Sequence, residues 1–160
     1  MSTINGNVCV VDGVAVDKVF SNGRQVYGRN LLRGSYDSSW GFSNNNATSE
    51  KVTMDSGEVA LHVVSANWGF WKNFYLPSGD YTISVDVKGT GNVWALGWEN
   101  ISTTSMTLTS NWQRVSRTGS LDGKQHAFIL YGTIDAYVRF LKLEKSTIAT
   151  PWTPAPEDVM

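Results

Sequence analysis

Hydrophobic and polar residues alternate over short runs along most of the chain, and Gly, Asn, Asp or Ser residues separate the runs. A period of two is typical of strands with one buried face, and the sequence has no convincing 3.6-residue period of an amphipathic helix. The alternation predicts seven strands after residue 58, at 59–64, 68–75, 80–88, 92–98, 112–117, 126–131 and 136–144. Turns are predicted between some of them, at 77–79, 89–92 and 122–123. Many short strands at this spacing predict an all-β fold, namely a β-sandwich or jelly roll.

The first 29 residues form a separate unit in this pattern. Asp12-Gly13 and Asn22-Gly23 each lie between short apolar runs, and both dipeptides tolerate the positive φ angles of a type I′ turn. They predict three short strands in a β-meander, which is too small to bury a core of its own. This extension must therefore pack on the rest of the chain or on another subunit.

The predicted domains are an extension at 1–29, a jelly-roll domain at 30–150 and a Pro-rich tail or linker at 151–160. The tail contains three of the four prolines, which are expected to exclude regular sheet or helix. We expect either an extended strap or the start of a linker.

Composition narrows the possible partners. Charged residues make up only 17% of the chain, below the roughly 25% that is usual, and the net charge is −1. A nucleic-acid binder needs a basic face, so nucleic acid is not an expected partner. A membrane is not expected either, because there is no apolar run of about 18 residues, and the start lacks the features of a signal peptide. Cys9 is the only cysteine, which excludes an intramolecular disulfide.

Four blocks of sequence resemble the jelly-roll carbohydrate-binding modules that are attached to glycoside hydrolases. In chain order these blocks are 30–32 (NLL), 76–92 (LPSGDYTISVDVKGTGN), 107–116 (TLTSNWQRVS) and 136–145 (AYVRFLKLEK). Two further segments, 16–32 and 143–158, resemble sequences that recur in tail, baseplate and neck proteins of phages infecting Gram-positive bacteria.

The resemblance implies a non-catalytic module of a phage virion that binds the cell-wall polysaccharide of its host. The implied partners are that polysaccharide and other virion proteins, and a homo-oligomer is an option. Such a protein would be assembled in the bacterial cytoplasm and would need no signal peptide. The family also implies a structural calcium, for which Asp37 could be one ligand. An acidic ligand expected in the last strand is replaced by Arg139, which would repel Ca²⁺, so we expect no cofactor.

Aromatic residues are the candidates for carbohydrate binding, because sugars stack their C–H faces on flat rings. Trp94 and Trp98 share one face of strand 92–98 by the period of two, and the small residues between them suit close packing on the opposite side. The alternative is that both rings are core.

The run 67–74 places Trp68 with Phe70 on one face and Trp71 on the other, and Trp71 is the preferred stacking residue. Tyr131 could add a hydroxyl, and Asp86 a carboxylate from the polar face of its strand. The predicted carbohydrate site is Trp71, Trp94, Trp98, Tyr131 and Asp86. Each of these residues could instead be ordinary core or surface.

Two other function classes remain open at this point. An enzyme could use Asp86 and Glu99 as the paired carboxylates of a glycosidase, but fourteen acidic residues make such pairs common. His62 and His126 lie in apolar strands, and no nucleophile elbow, P-loop or zinc-protease motif occurs, so catalysis is not expected. A structural or oligomerisation module of the virion would bury the same aromatic residues in a subunit interface.

Overall fold

The computed structural model describes residues 8–160, and its regular structure is almost entirely β, which confirms the predicted fold class. Within these residues the elements are β1 (Val10–Val11), β2 (Val14–Ala15), β3 (Lys18–Ser21), β4 (Arg24–Gly28), β5 (Ser43–Thr53), β6 (Val59–Tyr75), β7 (Gly79–Trp98), β8 (Ser102–Thr107), β9 (Gln113–Leu121), β10 (Gln125–Glu144) and α1 (Pro156–Val159). The described helical structure includes nothing of the length and hydropathy that a membrane crossing needs.

Four long strands, β5, β6, β7 and β10, each run through two sheets. One sheet, which we call sheet I, has the order β5-β6-β10-β7-β9, and the other, sheet II, has the order β5-β6-β10-β7-β8. Strands that pass from one sheet to the next at a bend form the corners of a β-sandwich. Sheet I comprises residues 47–53, 59–65, 79–91, 113–121 and 134–144; sheet II comprises residues 43–45, 69–75, 92–98, 102–107 and 125–131.

The bend in β7 depends on two glycines. Gly89 has φ +143° and Gly91 has φ +101°, and a Cβ on either would lie 2.1 Å from a carbonyl oxygen of β10. These glycines therefore let the neighbouring strand approach closely where the sheet folds over. The predicted turn at 89–92 is wrong, because β7 continues through it as one bent strand. The turns at 77–79 and 122–123 do separate strands.

The hydrophobic core lies between the two sheets. Trp98 of sheet II is fully buried, and its indole Nε1 donates a hydrogen bond across the core to the carbonyl oxygen of Tyr81 in sheet I, at 3.2 Å. Side chains that alternate along the long strands surround this contact. They include Leu61, Val63, Phe70, Phe74, Ile83, Val85, Val93, Leu96, Phe128, Leu130, Ala136 and Val138.

The N-terminal extension forms two separate hairpins, β1–β2 and β3–β4, instead of the predicted three-stranded meander. Both predicted turns are confirmed, since Asp12, Gly13, Asn22 and Gly23 all have positive φ, as a type I′ turn requires. β2 and β3 do not pair with each other. The first seven residues of the predicted extension lie outside the described residues.

The β3–β4 hairpin and the C-terminal tail pack together over the outer face of sheet I. The Gly28 amide donates to Thr150 Oγ1 at 3.1 Å, and the buried Asn30 side chain donates to the Thr153 carbonyl at 2.9 Å. Residues 153–156 are buried, so the tail is docked as a strap. The prolines do not exclude a helix, because Pro156 starts α1, at a position where a backbone N–H would have no partner.

Candidate functional site

The outer face of sheet II is open and carries aromatic rings, whereas the outer face of sheet I is covered around Lys142. Lys142 points outward from sheet I but is fully buried, because the extension and the tail pack on it. On sheet II the exposed fractions of Trp68 and Trp94 are 36% and 44%. Large exposed aromatic surface is uncommon on a soluble protein and indicates a binding surface.

Three rings meet at the end of this face where the sheet bends. The ring centroids of Trp68 and Trp94 are 5.2 Å apart, and Tyr131 lies 5.2 Å from Trp68 and 5.4 Å from Trp94. Trp94 Nε1 donates a hydrogen bond to the Asn67 carbonyl at 2.8 Å, which fixes the indole on the surface. These rings are therefore held in place before any ligand arrives.

A β-bulge in β7 brings Trp94 to this surface. Val93 pairs with Gly132 and Ala95 pairs with Tyr131, so Trp94 is an extra residue that has no partner in β10. Trp94 and Ala95 consequently both face outward, while Leu96 points into the core.

Trp71 extends the aromatic surface along the sheet. It packs against an apolar floor formed by Ala95, Ile129 and Tyr131, all of which are buried beneath the outer face. We call Trp68, Trp71, Trp94 and Tyr131 the aromatic patch. On its other side Trp71 borders an open depression of about 230 Å³, which is lined by Gly41, Phe42, Ser43, Trp71, Lys72 and Asn73.

Polar groups adjoin the aromatic patch. Burial raises the pKa of the Tyr131 phenol, the negative charge of Glu99 raises it further, and a hydrogen bond with the Asn45 side chain acts in the opposite direction. Asn45 lies beside Tyr131, because both residues pair with Gly69 of β6. A side-chain amide beside these rings can bind the hydroxyl groups of a ligand, because it both donates and accepts hydrogen bonds.

Two of the five predicted site residues lie elsewhere. Trp98 has an exposed fraction of 0% and belongs to the core, so its assignment to the site is wrong. The bulge at Trp94 breaks the period of two that put these rings on one face. Trp71, Trp94 and Tyr131 do come together on the outer face of sheet II, and their role as ligand contacts stays a prediction.

Asp86 does not lie beside the aromatic patch, and the structure contradicts its assignment to the same site. It projects from sheet I, where its carboxylate accepts from Arg114 Nη1 at 3.2 Å and from Arg139 Nε at 3.1 Å. Arg139 also pairs with Glu58. An Asp86 whose two carboxylate oxygens are both engaged by guanidinium groups is a poor partner for Glu99 in a glycosidase pair.

Sequence reasoning missed the contribution of Trp68 and Asn45. Alternation placed Trp68 with Phe70, but an irregularity at 66–68 in β6 turns the Trp68 ring to the outer face while Phe70 stays in the core. Gly69 follows directly, and a Cβ there would lie 1.9 Å from the Leu130 carbonyl oxygen. An Asn-Trp-Gly sequence within an apolar run was the available signal for such an irregularity. Asn45 lies in β5, which was not predicted as a strand.

The described residues do not bring His, Cys, Asp or Glu side chains together in a group of three that could hold a metal ion. Asp37, the expected calcium ligand, instead accepts hydrogen bonds from the backbone N–H and the hydroxyl of Ser39. Arg139 occupies the other expected position and is engaged in the ion pairs described above.

No protein-family model and no curated protein matches the sequence of this chain. Solved structures with a similar fold are carbohydrate-binding modules. One is the CBM22-1–GH10 structure of Clostridium thermocellum xylanase 10B complexed with xylohexaose, at 16% identity over 72% of this chain, with a TM-score of 0.51. This chain spans only 28% of that protein.

Two further structures are matched over nearly their whole length. TmCBM61, in complex with β-1,4-galactotriose, is 16% identical over 74% of this chain and 100% of its own, with a TM-score of 0.53. The CBM22-1 xylan-binding domain of Paenibacillus barcinonensis Xyn10C is 12% identical over 78% and 99%, with a TM-score of 0.55. At these identities the likeness shows the fold, which is the jelly-roll β-sandwich of such modules.

Proposed function

We propose that this chain is a non-catalytic carbohydrate-binding module whose ligand lies on the outer face of sheet II. The observation that carries the proposal is the aromatic patch, in which the exposed Trp68 and Trp94 rings pack around Tyr131. The shared fold with modules solved in complex with xylohexaose and galactotriose supports the same class of ligand.

The apolar C–H face of a sugar ring would stack on the exposed indole of Trp94 and the half-buried indole of Trp71. Asn45, which lies beside Tyr131 across Gly69, would bind sugar hydroxyls at the edge of the rings. A few stacked rings and solvent-exposed hydrogen bonds must offset the cost of ordering the ligand, so the affinity of one site is weak. Many copies on one particle would raise the overall binding strength through avidity.

The finer proposal is that the module belongs to the tail, baseplate or neck of a phage virion and binds cell-wall polysaccharide of a Gram-positive host. Its support is the resemblance of segments 16–32 and 143–158 to such virion proteins. These two segments also pack against each other over sheet I, away from the aromatic patch. That arrangement would leave the aromatic patch free while the opposite face carries the links to other virion proteins.

The test is binding of fluorescently labelled protein to whole Gram-positive cells and to purified wall polysaccharides. Trp71→Ala and Trp94→Ala should each abolish labelling while remaining folded. Trp112→Ala is the matched control, because that ring lies on the sheet I side, against the Arg139 guanidinium at 4.0 Å. The proposal fails if the wild type labels no strain even when clustered on beads, or if the control variant loses binding as fully as the other two.

The alternative function is a structural or oligomerisation module of the virion with no sugar binding. It is favoured by apolar side chains that the hairpins leave exposed, among them Val14 and Phe20. Sedimentation velocity distinguishes this function: a stable oligomer that dissociates in a Phe20→Ser variant would support it. A monomer that binds polysaccharide through Trp94 would not.

A further inference from the structure

A second cavity lies on the opposite side of the molecule from the aromatic patch, between sheet I and the docked tail. Its volume is about 410 Å³, and its lining residues are Asp86, Arg114, Phe140, Ala149, Thr150, Pro151 and Trp152. Pockets that bind small molecules typically measure roughly 300–1,000 Å³ and combine apolar walls with a few convergent polar groups. The cavity meets both criteria.

The polar wall of this cavity is held rigidly. Arg114 donates to Asp86 Oδ1 at 3.2 Å, to the Phe140 carbonyl at 2.6 Å and to Ser84 Oγ at 2.9 Å. Arg139 Nε donates to the other carboxylate oxygen of Asp86, Oδ2, at 3.1 Å. A carboxylate and a guanidinium therefore face the cavity side by side in a fixed arrangement, and each still has hydrogen-bonding capacity.

The apolar wall is built from two stacked aromatic rings. The ring centroids of Phe140 and Trp152 are 4.6 Å apart with an interplanar angle of 28°, and Trp152 Nε1 donates to Ser35 Oγ at 3.3 Å. Phe140 has φ +54°, in the left-handed region, at the point where the register of β10 shifts. Backbone strain of this kind in a non-glycine residue is often found at binding sites.

We propose that this cavity is a second saccharide site, separate from the aromatic patch, which takes a neutral sugar ring. A hydroxyl group can donate to the Asp86 carboxylate and accept from the Arg114 guanidinium at the same time. The charges of Asp86 and Arg114 offset each other, so the cavity presents no net charge that would attract a carboxylate, a phosphate or an ammonium ligand. The apolar face of the ring would lie against Pro151 and the Phe140–Trp152 stack.

The test is a titration of the full chain with neutral monosaccharides, such as galactose, xylose and glucose, followed by two-dimensional NMR. Saturable shifts should appear in the Trp152 indole N–H and in the amides of Ala149 and Thr150. They should persist in Trp71→Ala, in which the aromatic patch is impaired, so that binding at the two sites is measured separately.

Ala149→Trp is the blocking variant, because Ala149 is exposed at the rim and a large side chain there would fill the cavity. It should weaken binding at least about tenfold, whereas Ile148→Trp, one residue outside the lining, should leave binding unchanged. Three results would each overturn the proposal: the shifts do not saturate with added sugar, Ala149→Trp binds as tightly as the wild type, or the protein binds glucuronate more tightly than glucose. Loss of polysaccharide binding at the aromatic patch alone would leave the second site intact.

Discussion

Trp98 and Trp94 are two residues of the same type, only four positions apart in β7, and they should respond to alanine substitution in opposite ways. Trp98 is fully buried between the sheets and donates a hydrogen bond to the Tyr81 carbonyl at 3.2 Å. Trp94 is 44% exposed and contacts mainly Trp68 and Tyr131 at the surface. Trp98→Ala should therefore destabilise the protein, and Trp94→Ala should mainly weaken binding.

The expected loss of stability is larger for Trp98→Ala than for Trp94→Ala. Truncating a buried Trp to Ala costs about 3–5 kcal/mol, and losing the hydrogen bond adds about 1 kcal/mol. For a domain of this size that total corresponds to a fall in Tm of about 10–20 °C. Trp94→Ala loses two aromatic contacts, each worth about 0.5–1.5 kcal/mol, and an exposed hydrogen bond to the Asn67 carbonyl that water can replace, and it opens no cavity between the sheets. A loss of about 1–3 kcal/mol corresponds to a fall in Tm of about 2–12 °C.

Urea unfolding followed by circular dichroism measures the free energy of unfolding of both variants, and a pull-down on insoluble polysaccharide measures binding. Trp98→Phe is the control that keeps most of the buried volume, and it should recover much of the stability that Trp98→Ala loses. The reasoning would be refuted if Trp98→Ala were as stable as the wild type, or if Trp94→Ala were the less stable of the two.

Three further predictions follow from the bend, the buried lysine and the tail. Gly91→Ala should cost more than about 2 kcal/mol, because its Cβ would lie 2.1 Å from a backbone carbonyl oxygen of β10; Gly123→Ala, whose Cβ would make only an ordinary contact of 3.6 Å with the Ser78 backbone nitrogen, should cost about 1 kcal/mol, and equal Tm values would contradict this. Burial lowers the pKa of Lys142 from 10.5 to about 8, so the unfolded chain holds the proton more tightly, and the free energy of unfolding should rise with pH between these values. Urea titrations should show that this rise is absent in Lys142→Met; an equal rise in that variant would show that another group is responsible. Deleting residues 151–160 should lower Tm, because the tail is docked, whereas an unchanged Tm would mean that it is a linker.

The fold class could be predicted because alternation survives in the strands that form the core. The sequence did not indicate β5 and β8. Both are edge strands with mostly polar sequences, SNNNATSEKVT and STTSMT. Each pairs with only one long strand and buries few side chains, so neither needs an apolar period. The neighbouring strand holds each of them through backbone hydrogen bonds, which do not depend on the identity of the side chains.

The bend in β7 shows why turn signals can mislead. Glycines with positive φ occur both in hairpin turns and where another backbone approaches closely, and their local conformations overlap. At Asn22-Gly23 the chain reverses, whereas at Gly89 and Gly91 it continues and folds over β10. Only the position of the partner strand separates these cases, and that position depends on residues 133–136, which lie far away in the sequence.

The site was predicted only in part, because the position of the partner strand also decides which face a side chain occupies. The period of two assigns faces correctly only while the register with the neighbouring strand is unbroken, since one extra residue moves every following side chain to the other face. The bulge at Trp94 is such an extra residue: it puts Trp94 on the surface and leaves Trp98, four positions later, in the core. An unbroken strand would have placed both rings on the same face, either both accessible or both buried. The bulge thus separates a ring available to a ligand from a ring that stabilises the fold, and the Trp94→Ala and Trp98→Ala variants measure that separation directly.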